Sequence, residues 1–557
     1  MIAPRRPAAP PLRLGMAFTP RARFGVARGG LFVQFTRMRT GSLACADSIH
    51  DVIPPMIRLP RPFRPIPPWL PLSPRVRIAP FAVSVVVALI TSGCALTRTD
   101  YERPALPVPP HFGTPIDGTQ QGAAPDDVGS VNAQNTSDAE IAPWWQAFRE
   151  PQLDTLVSQA LAGNPGLALK ALQADRDALQ AGLTDANRWP QFAGSLTGSK
   201  SRALDGGRAA LAYDGQTRTK SGANLGISYE IDLWNKLGAQ RDAANWQAAA
   251  SAWERRAAAL SLSSQVASLY WRVAYLNENV RSATADLDAA NRVVTVVEAR
   301  RRAGAVSALD PVQAQQDRDA VAGALAEWER LRDVARHALA NALGQPAQTR
   351  FAERDSLAPV QLPEVAAGLP ASLLAQRPDL AAAETRVRAR LADVDAARLS
   401  FYPSLTLTGT AATSSDALSR LLANPVGTLA ATIAMPFLQV QTARFTTALA
   451  RNDYAQSVTT FRSTLLTALT EVEDALAARE RTASQYASLA SAATLAQRAA
   501  DLSGARYRAG DIDLQTWLDA QRLSRQARRN AAQSRLDQID ATLTLVKALG
   551  GTLGTAS

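Results

Sequence analysis

An internal duplication constrains the fold of this chain more than any other feature of its sequence. In each half, two prolines 25 residues apart enclose an alanine-rich segment. Further along each half is an Ala-Gly pair, and a second glycine follows the glycine of that pair by 40 residues. These landmarks are Pro165 and Pro190, Gly304 and Gly344, Pro378 and Pro403, and Gly510 and Gly550. Matched spacing of this kind indicates two copies of one supersecondary unit. The offset between the copies falls from 213 to 206 residues, which a seven-residue difference in a loop explains.

Each copy is predicted to contain a helix, two strands, a very long helix and a shorter helix. The strands alternate apolar and polar residues, which is typical of a sheet with one apolar face. In the segment ANLGISYEIDL the apolar members are Ala223, Leu225, Ile227, Tyr229, Ile231 and Leu233. In the second copy they are Leu429, Ala431, Ile433, Met435 and Phe437. Strands are therefore expected over about 191–203, 221–234, 402–412 and 427–438.

The long helices carry a heptad pattern. Apolar residues step alternately by four and three from Leu262 to Val297, which is the signature of left-handed coiling. The second copy begins the same way from Tyr454 to Leu476. Helices are expected over about 240–303, 307–343, 446–507 and 512–549. The longest of them would be rods of roughly 90 Å, which cannot fold back into a compact core of ordinary domain size.

Four strands from one chain cannot close a sheet within a membrane. An open strand edge in lipid leaves backbone groups unpaired, at a cost of several kcal/mol each. Two chains would supply eight strands and three would supply twelve. The apolar strand residues would then face lipid, and the fold class is that of an α+β membrane protein. The residues expected to face water are Asn224, Ser228, Glu230, Asp232, Thr406 and Thr408.

The segment before Cys94 is predicted to be an export signal. Arg75 and Arg77 precede an apolar run from residue 78 to 90, which is too short to span a bilayer core of about 30 Å. Ser92 and Gly93 then precede the cysteine. Residues 1–93 also hold the whole basic excess of +11, so the remainder is electrically balanced. That balance gives little reason to expect a nucleic-acid partner.

Cys94 resembles the acylated cysteine of bacterial lipoprotein signals, and Ala95 after it is similar to outer-membrane sorting. Thr91 stands where those signals usually carry leucine, and cleavage nearby without a lipid is the alternative. Residues 1–93 are expected to combine the signal peptide with a gene-model extension upstream of Met56. Residues 94–140 are rich in proline and glycine and are expected to form a lipidated N-terminal tether. Acylation would leave no free thiol and hence no disulfide.

Four segments carry the resemblance to a known family. They are TDYERP at 99–104, YEIDLWNKLG at 229–238, LPASLLAQRPDLAAAETRVRARLADVDAARLSFYPSLTLTG at 370–409 and YRAGDIDLQTWLDAQR at 507–522. With the duplication, they resemble the TolC-like outer-membrane factors of resistance–nodulation–division efflux pumps, of the NodT type. The resemblance covers nearly all of residues 94–550.

The family resemblance implies a homotrimer with a 12-strand outer-membrane β-barrel, continued by a 12-helix periplasmic α-barrel with four helices from each chain. The expected division is a first repeat at 141–345, an equatorial linker at 346–369, a second repeat at 370–550 and a short tail at 551–557. One departure lies at 436–445, where PFLQVQTARF replaces the family's turn with Gly and Asp. The junction before the second long helix therefore stays open.

By this resemblance the chain is a passive exit duct for small toxic compounds or drugs in the outer membrane of a Gram-negative bacterium. An inner-membrane proton-driven pump would energise it through a periplasmic adaptor protein. The tips of the two helical hairpins would meet the adaptor. The residues assigned to these tips are Arg302, Gly304, Tyr507, Arg508 and Gly510.

The same resemblance assigns a periplasmic gate to the helix after the second tip. Asp519 and Arg522, with Gln515 one turn earlier on the same face, would lie at a constriction facing the lumen. A threefold ring of Asp519 would concentrate negative charge, which arginine from a neighbouring helix would bridge. A plain intrahelical pair of weak energy is the alternative for the same residues.

No catalytic motif stands out in the sequence. It has no HExxH, P-loop or GxSxG motif, and His337 lies mid-helix with no histidine or cysteine nearby. An enzyme is therefore not expected, nor any cofactor beyond the lipid on Cys94. Two other functions stay open: the same duct could serve protein export or metal-ion efflux, and a coiled-coil envelope lipoprotein could be purely structural.

Overall fold

The computed structural model describes residues 98–104, 142–201, 218–358, 360–364, 376–416 and 418–552. The first repeat comprises α1 (Pro151–Gly163), α2 (Pro165–Ala186), β1 (Gln191–Ser201), β2 (Arg218–Ile231), α3 (Lys236–Arg302) and α4 (Leu309–Ala342). The second comprises α5 (Pro378–Leu399), β3 (Ser404–Ser415), β4 (Pro425–Ala434), α6 (Val440–Ala509) and α7 (Leu514–Ala548). Cys94 lies outside the described residues, so its lipidation stays a prediction.

The four strands form one antiparallel sheet in the order β1-β2-β3-β4. Residues directly opposite each other in the register lie on the same face of the sheet. In this register the apolar positions of all four strands fall on one face. One row across the sheet runs through Phe192, Ile227, Gly409 and Leu429. The opposite face holds Ser195, Asn224, Ser228, Glu230, Thr406, Thr408, Thr428 and Thr432. The predicted alternation therefore produces one continuous apolar face and one polar face.

Two strands end earlier than the alternation predicts. β2 ends at Ile231, and the Asp232 carboxylate accepts the backbone N–H of Gly238 at 2.9 Å in the first turn of α3. The prediction that Asp232 faces water from the sheet is therefore wrong, because this side chain caps a helix instead. β4 ends at Ala434, and a 3-10 turn at Pro436–Leu438 leads into α6.

The two long helices, α3 and α6, have 67 and 70 residues, which corresponds to about 100 Å each. Beside the sheet, α2 packs on α3, α3 on α5, and α5 on α6. Toward the other end, α6 packs on α7, α7 on α3, and α3 on α4. The long helices thus run through both halves, while each half has its own pair of short helices. Among the described helices, none is both long and apolar enough to cross a bilayer.

The predicted heptad positions of α3 form its buried seam. Val266, Val273, Leu276 and Val297 are all almost fully buried. Around Trp271 the seam widens into an aromatic cluster, because the 3-10 turn Trp144–Phe148 packs against it. The core of the molecule is therefore a line of contacts along the helices and not a compact centre.

The segment after α4 crosses the helices at mid-length. Its described residues between 353 and 363, which leave out 359, contact one helix after another by hydrogen bonds or ion pairs. The contacts are Arg336 of α4 with Glu353, Glu278 of α3 with the Leu357 amide, Arg535 of α7 with the Val360 carbonyl, and Arg479 of α6 with the Pro363 carbonyl. This segment ties all four helices together at one level.

Candidate functional site

The two helical tips are built in the same way in both repeats. α3 ends before Gly304 and α6 before Gly510, and both glycines have positive φ, of 72° and 83°. Each tip has two reverse hydrogen bonds, for example from the Gly510 amide to the Tyr507 carbonyl and from the Asp511 amide to the Arg506 carbonyl. This is the Schellman arrangement, which requires a residue that tolerates left-handed backbone.

A small apolar core holds the two tips against each other. Tyr507 at the end of α6 is buried and stacks on Trp517 of α7, with ring centroids 5.0 Å apart. Val297 and Ala314 from the first repeat complete the cluster. Gly504 lies against the indole, and a Cβ there would be only 2.8 Å from Trp517 Nε1. Close packing at this point therefore requires glycine six residues before Gly510, in the last two turns of α6.

Arg300 bonds across from the first tip to the second. Its guanidinium donates to the carbonyls of Tyr507, at 3.0 Å, and Arg508, at 2.6 Å, and lies 4.7 Å from the Tyr507 ring centroid. A cation at the last carbonyls of a helix is favourable both for hydrogen bonding and for the helix dipole. The sequence prediction did not single out Arg300. Its only signal was its place in the basic run of residues 300–302.

The two predicted tip arginines have a different environment from Arg300. Arg302 is exposed, and within the described part of the chain its side chain bonds to the Glu298 carbonyl of its own helix, at a long 3.4 Å. Arg508 is also exposed. The tips therefore present cationic side chains to the surroundings, while Tyr507 lies in the core and Arg300 fixes the hairpins to each other.

The three predicted gate residues lie together on one face of α7. Gln515 donates to the Asp519 carboxylate at 2.9 Å, and Arg522 donates to the same oxygen at 2.8 Å. The Asp519 and Arg522 side chains are each about half exposed. Arg522 also reaches Asp317 of α4, at 3.2 Å. The pair is therefore not purely intrahelical, because its arginine links two helices.

Asp317 is a site residue that the sequence prediction missed. Its side chain is only 4% exposed, and Arg525 donates to both of its oxygens at 2.9 and 3.1 Å. The available signal was its position: it follows Pro311 and Ala314 at helical spacing and precedes Val321, all buried. A carboxylate on the apolar stripe of a helix needs a buried partner, and the arginines of α7 supply it.

These contacts form a ladder along the tip half of α7. Its steps are Arg522 and Arg525 with Asp317, and Arg528 with Asp286 of α3 at 2.6 Å. We call these five residues the polar ladder. A groove of about 400 Å³ lies beside it. The described residues contain no cluster of histidine, cysteine or carboxylate side chains that could hold a metal ion.

Comparison with known proteins gives a consistent result. A family profile described as "Outer membrane efflux protein" matches residues 156–345 and 369–551. The pyoverdine export outer membrane protein OpmQ of Pseudomonas putida is 32% identical, over 79% of this chain and 94% of its own. The cation efflux system protein CusC of Escherichia coli is 30% identical, over 85% and 98%. The toluene efflux pump outer membrane protein TtgC of Pseudomonas putida is 30% identical, over 84% and 94%.

Solved structures agree with the sequence matches. The crystal structure of CusC superposes with a TM-score of 0.71 at 26% identity, over 82% of this chain and 99% of that one. The open state of the MtrE outer membrane channel of Neisseria gonorrhoeae superposes with a TM-score of 0.66 at 27% identity, over 82% and 98%.

Replacing Arg300 tests whether it holds the tips together. Arg300→Met removes both bonds to the end of α6 while keeping an apolar stem, so we expect faster trypsin cleavage after Arg506 and Arg508. Arg302→Met removes a neighbouring arginine whose described hydrogen bond is to its own helix. In this variant, cleavage after Arg506 and Arg508 should stay at the wild-type rate. Mass spectrometry of the fragments measures both rates. Equal rates for the two variants would show that Arg300 does not stabilise the tip.

Proposed function

Because the chain belongs to the outer membrane efflux protein family, we propose that three copies of it close into one duct through the outer membrane and periplasm. The chain is an outer-membrane efflux channel, and its family is one of channels rather than enzymes. In the proposed trimer, twelve strands form a membrane barrel and twelve helices continue it into the periplasm. The duct is passive, and its energy comes from an inner-membrane pump coupled through an adaptor protein.

One observation carries the proposal: a sheet that is apolar on one face and has unpaired edges. β1 pairs only with β2, and β4 only with β3, among the described strands. The apolar side chains of this sheet are exposed in the single chain, and Leu429 is 85% exposed. An apolar face suits lipid, but open edges do not, because their backbone groups have no partner there. Pairing of β1 with β4 of the next copy removes both edges.

Aromatic residues at the helix-side ends of the strands support the membrane position. Trp189 precedes β1, Trp234 follows β2, Tyr402 precedes β3 and Phe437 follows β4. Trp234 and Tyr402 form an edge-to-face pair with ring centroids 5.3 Å apart. Aromatic rings at one level are typical of the interface between lipid and water in outer-membrane barrels. The helices would then begin on the periplasmic side.

The helical edges support the same closure. α2 leads into β1 and α6 follows β4, so the same two edges continue from strands to helices. On α2, leucines at helical spacing are more than half exposed: Leu169, Leu172, Leu179 and Leu183. On α6, Phe445 and Leu449 are similarly exposed. A neighbouring copy would bury these stripes against each other.

We assign three further roles within this duct. Cys94 carries the lipid that attaches the tether to the membrane. The tips, with Arg302 and Arg508 exposed, dock the adaptor. Asp519, Arg522 and Gln515 form the resting gate, and the polar ladder holds their helix against its neighbours. Release of these contacts by the adaptor would let the tips move apart.

Small toxic compounds or drugs are the proposed substrates. The relatives named above export pyoverdine, toluene and cations, so metal-ion efflux is the second candidate, which the likeness to CusC favours.

Deletion of the gene followed by exposure to antibiotics, dyes, solvents and metal salts separates the two candidate substrate classes. Complementation with Cys94→Ser, with fractionation of the membranes, tests the lipid attachment. Unchanged susceptibility to every compound in the panel would count against an efflux role.

A gate variant tests the resting constriction. Asp519→Ala combined with Arg522→Ala removes the charges that we place at the narrowest point, so we expect a higher single-channel conductance in planar bilayers. Arg330→Ala on α4, which breaks only an exposed pair with Glu327, is the matched control and should leave conductance unchanged. The gate assignment fails if the double variant conducts like the wild type.

Two neighbouring substitutions test which face of the sheet meets lipid. Leu429→Arg puts a charge on the apolar face near the middle of β4, at a cost of about 2–4 kcal/mol if it lies at the bilayer midplane. We expect much less heat-modifiable trimer in the outer membrane. Thr428→Arg puts the same charge on the polar face and should assemble normally. If both variants assemble equally well, the apolar face does not meet lipid.

A further inference from the structure

A short N-terminal segment, residues 98–103, lies against α3 and α5. Arg98 donates to Asp242 of α3 at 2.7 Å. Thr99 binds Asp395 of α5 twice, through its backbone N–H at 2.9 Å and its hydroxyl at 2.8 Å. Asp242 belongs to the first repeat and Asp395 to the second. The segment therefore links the two repeats.

A second set of contacts lies further along the same segment. Arg103 forms an ion pair with Glu384 of α5 at 2.8 Å. The guanidinium of Arg388 lies between two rings, 4.6 Å from the centroid of Tyr101 and 5.2 Å from that of Trp246. Cation–π contacts of this kind are strongest when the cation is partly removed from water. The groove between α3 and α5 thus contacts a cationic, an aromatic and a second cationic side chain in that order along the segment: Arg98, Tyr101 and Arg103.

The carboxylates of this groove are buried to a degree that requires partners. The side chains of Asp395 and Glu384 are only 2% and 5% exposed. On their own helix each has one arginine, Arg398 and Arg388 respectively, at 3.1 Å. The N-terminal segment supplies further hydrogen bonds to both carboxylates, from Thr99 and Arg103. A buried carboxylate that loses such partners is destabilising, which gives docking a free-energy gain beyond surface contact.

The Tyr101 hydroxyl stays protonated in this groove. Burial, and next the charge of Glu384, raises the pKa of Tyr101 well above its ordinary value. A neutral hydroxyl can donate to the Glu384 carboxylate, which it approaches at 3.4 Å.

The direction of the segment is fixed by the helix that it follows. Asp395 lies one turn before the end of α5, next to the sheet, and Glu384 lies eleven residues earlier, roughly 16 Å further from the sheet. The segment spans Thr99 to Arg103 over a comparable length, about 14 Å if extended. It thus runs away from the sheet as residue number increases. Arg98 therefore lies at the end of the segment nearer the sheet.

We propose that Asp242, Glu384 and Asp395 form a docking site for residues 98–103, and that docking holds the lipid attachment at Cys94 beside the helix–strand junction. Arg98 follows Cys94 by four positions, so their Cα atoms are at most about 14 Å apart. The second half of the inference rests on the proposed lipidation, whereas the first half does not. Docking fixes the tether to both repeats just below the proposed membrane level.

Limited trypsin digestion of the full-length protein, solubilised from the outer membrane in mild detergent, tests the docking, because the periplasmic face is then open to the protease. In the wild type, the bond after Arg98 should be protected, because a protease needs an extended, released substrate. Asp395→Asn combined with Glu384→Gln keeps the side-chain sizes but weakens the ion pairs and charged hydrogen bonds. We expect cleavage after Arg98 to accelerate on the order of tenfold or more, since cleavage follows the population of the open form.

Asp393→Asn is the matched control, because Asp393 lies on the same helix and, among the residues that the structure describes, forms its ion pair with Arg390. Its cleavage rate after Arg98 should equal that of the wild type. Thr99→Val combined with Arg103→Gln alters the segment instead of the helices, and it should also accelerate cleavage while the amount of heat-modifiable trimer stays normal. Docking is refuted if both double variants are cleaved at the wild-type rate.

A photo-crosslinking amino acid at Leu96 tests the position of the attachment. We expect crosslinks to peptides from residues 230–242 or 395–404, with their loss in the Asp395→Asn, Glu384→Gln variant. Crosslinks to the tip half of the helices would overturn the assigned position. Neither measurement requires conductance or transport. A failed efflux assay with protected Arg98 would therefore contradict the proposed function and leave the docking intact.

Discussion

Backbone pairing at the edges of one four-stranded sheet is the constraint on which the rest of this structure depends. The sheet has an apolar face that favours lipid, and its outer strands β1 and β4 have no partner among the described strands. Lipid offers no hydrogen bonds to such edges, so in the proposed trimer membrane insertion and association of copies would occur together. The exposed leucines of α2 and the exposed Phe445 of α6 continue the same two edges beyond the strands.

The contacts that hold α7 to its neighbours differ between its sheet half and its tip half. In the sheet half, α7 is held by buried apolar residues such as Ile539, Leu543 and Val546. In the tip half, the apolar core around Trp517 is joined by the polar ladder, whose arginines on the same helix reach carboxylates of α3 and α4. Ion pairs respond to local electrostatics more readily than close-packed apolar contacts do. The proposed gate at the tips would therefore be free to rearrange while the crossing segment at mid-length keeps the helices together.

Much of this architecture was predictable, because periodicity and duplication are properties of the sequence alone. The heptads of α3 predicted its seam, and the period-two runs predicted the faces of the sheet. The strand end at Ile231 was missed because Asp232 fits the alternation yet caps α3. Asp317 and Arg300 were missed because their roles depend on which helices become neighbours. The docking of residues 98–103 was equally invisible, since its partners lie more than 140 positions away in the chain.

Disulfide crosslinking between β1 and β4 tests the closure of the sheet most directly. One cysteine replaces Ala193 in β1, and a second replaces Thr428, Ala430 or Thr432 in β4, all on the polar face. Oxidation in intact outer membranes should give covalently linked species of two and three chains for at least one of these pairs. If every pair yields only single chains although the protein is present in the outer membrane, copies of this chain do not complete each other's sheet.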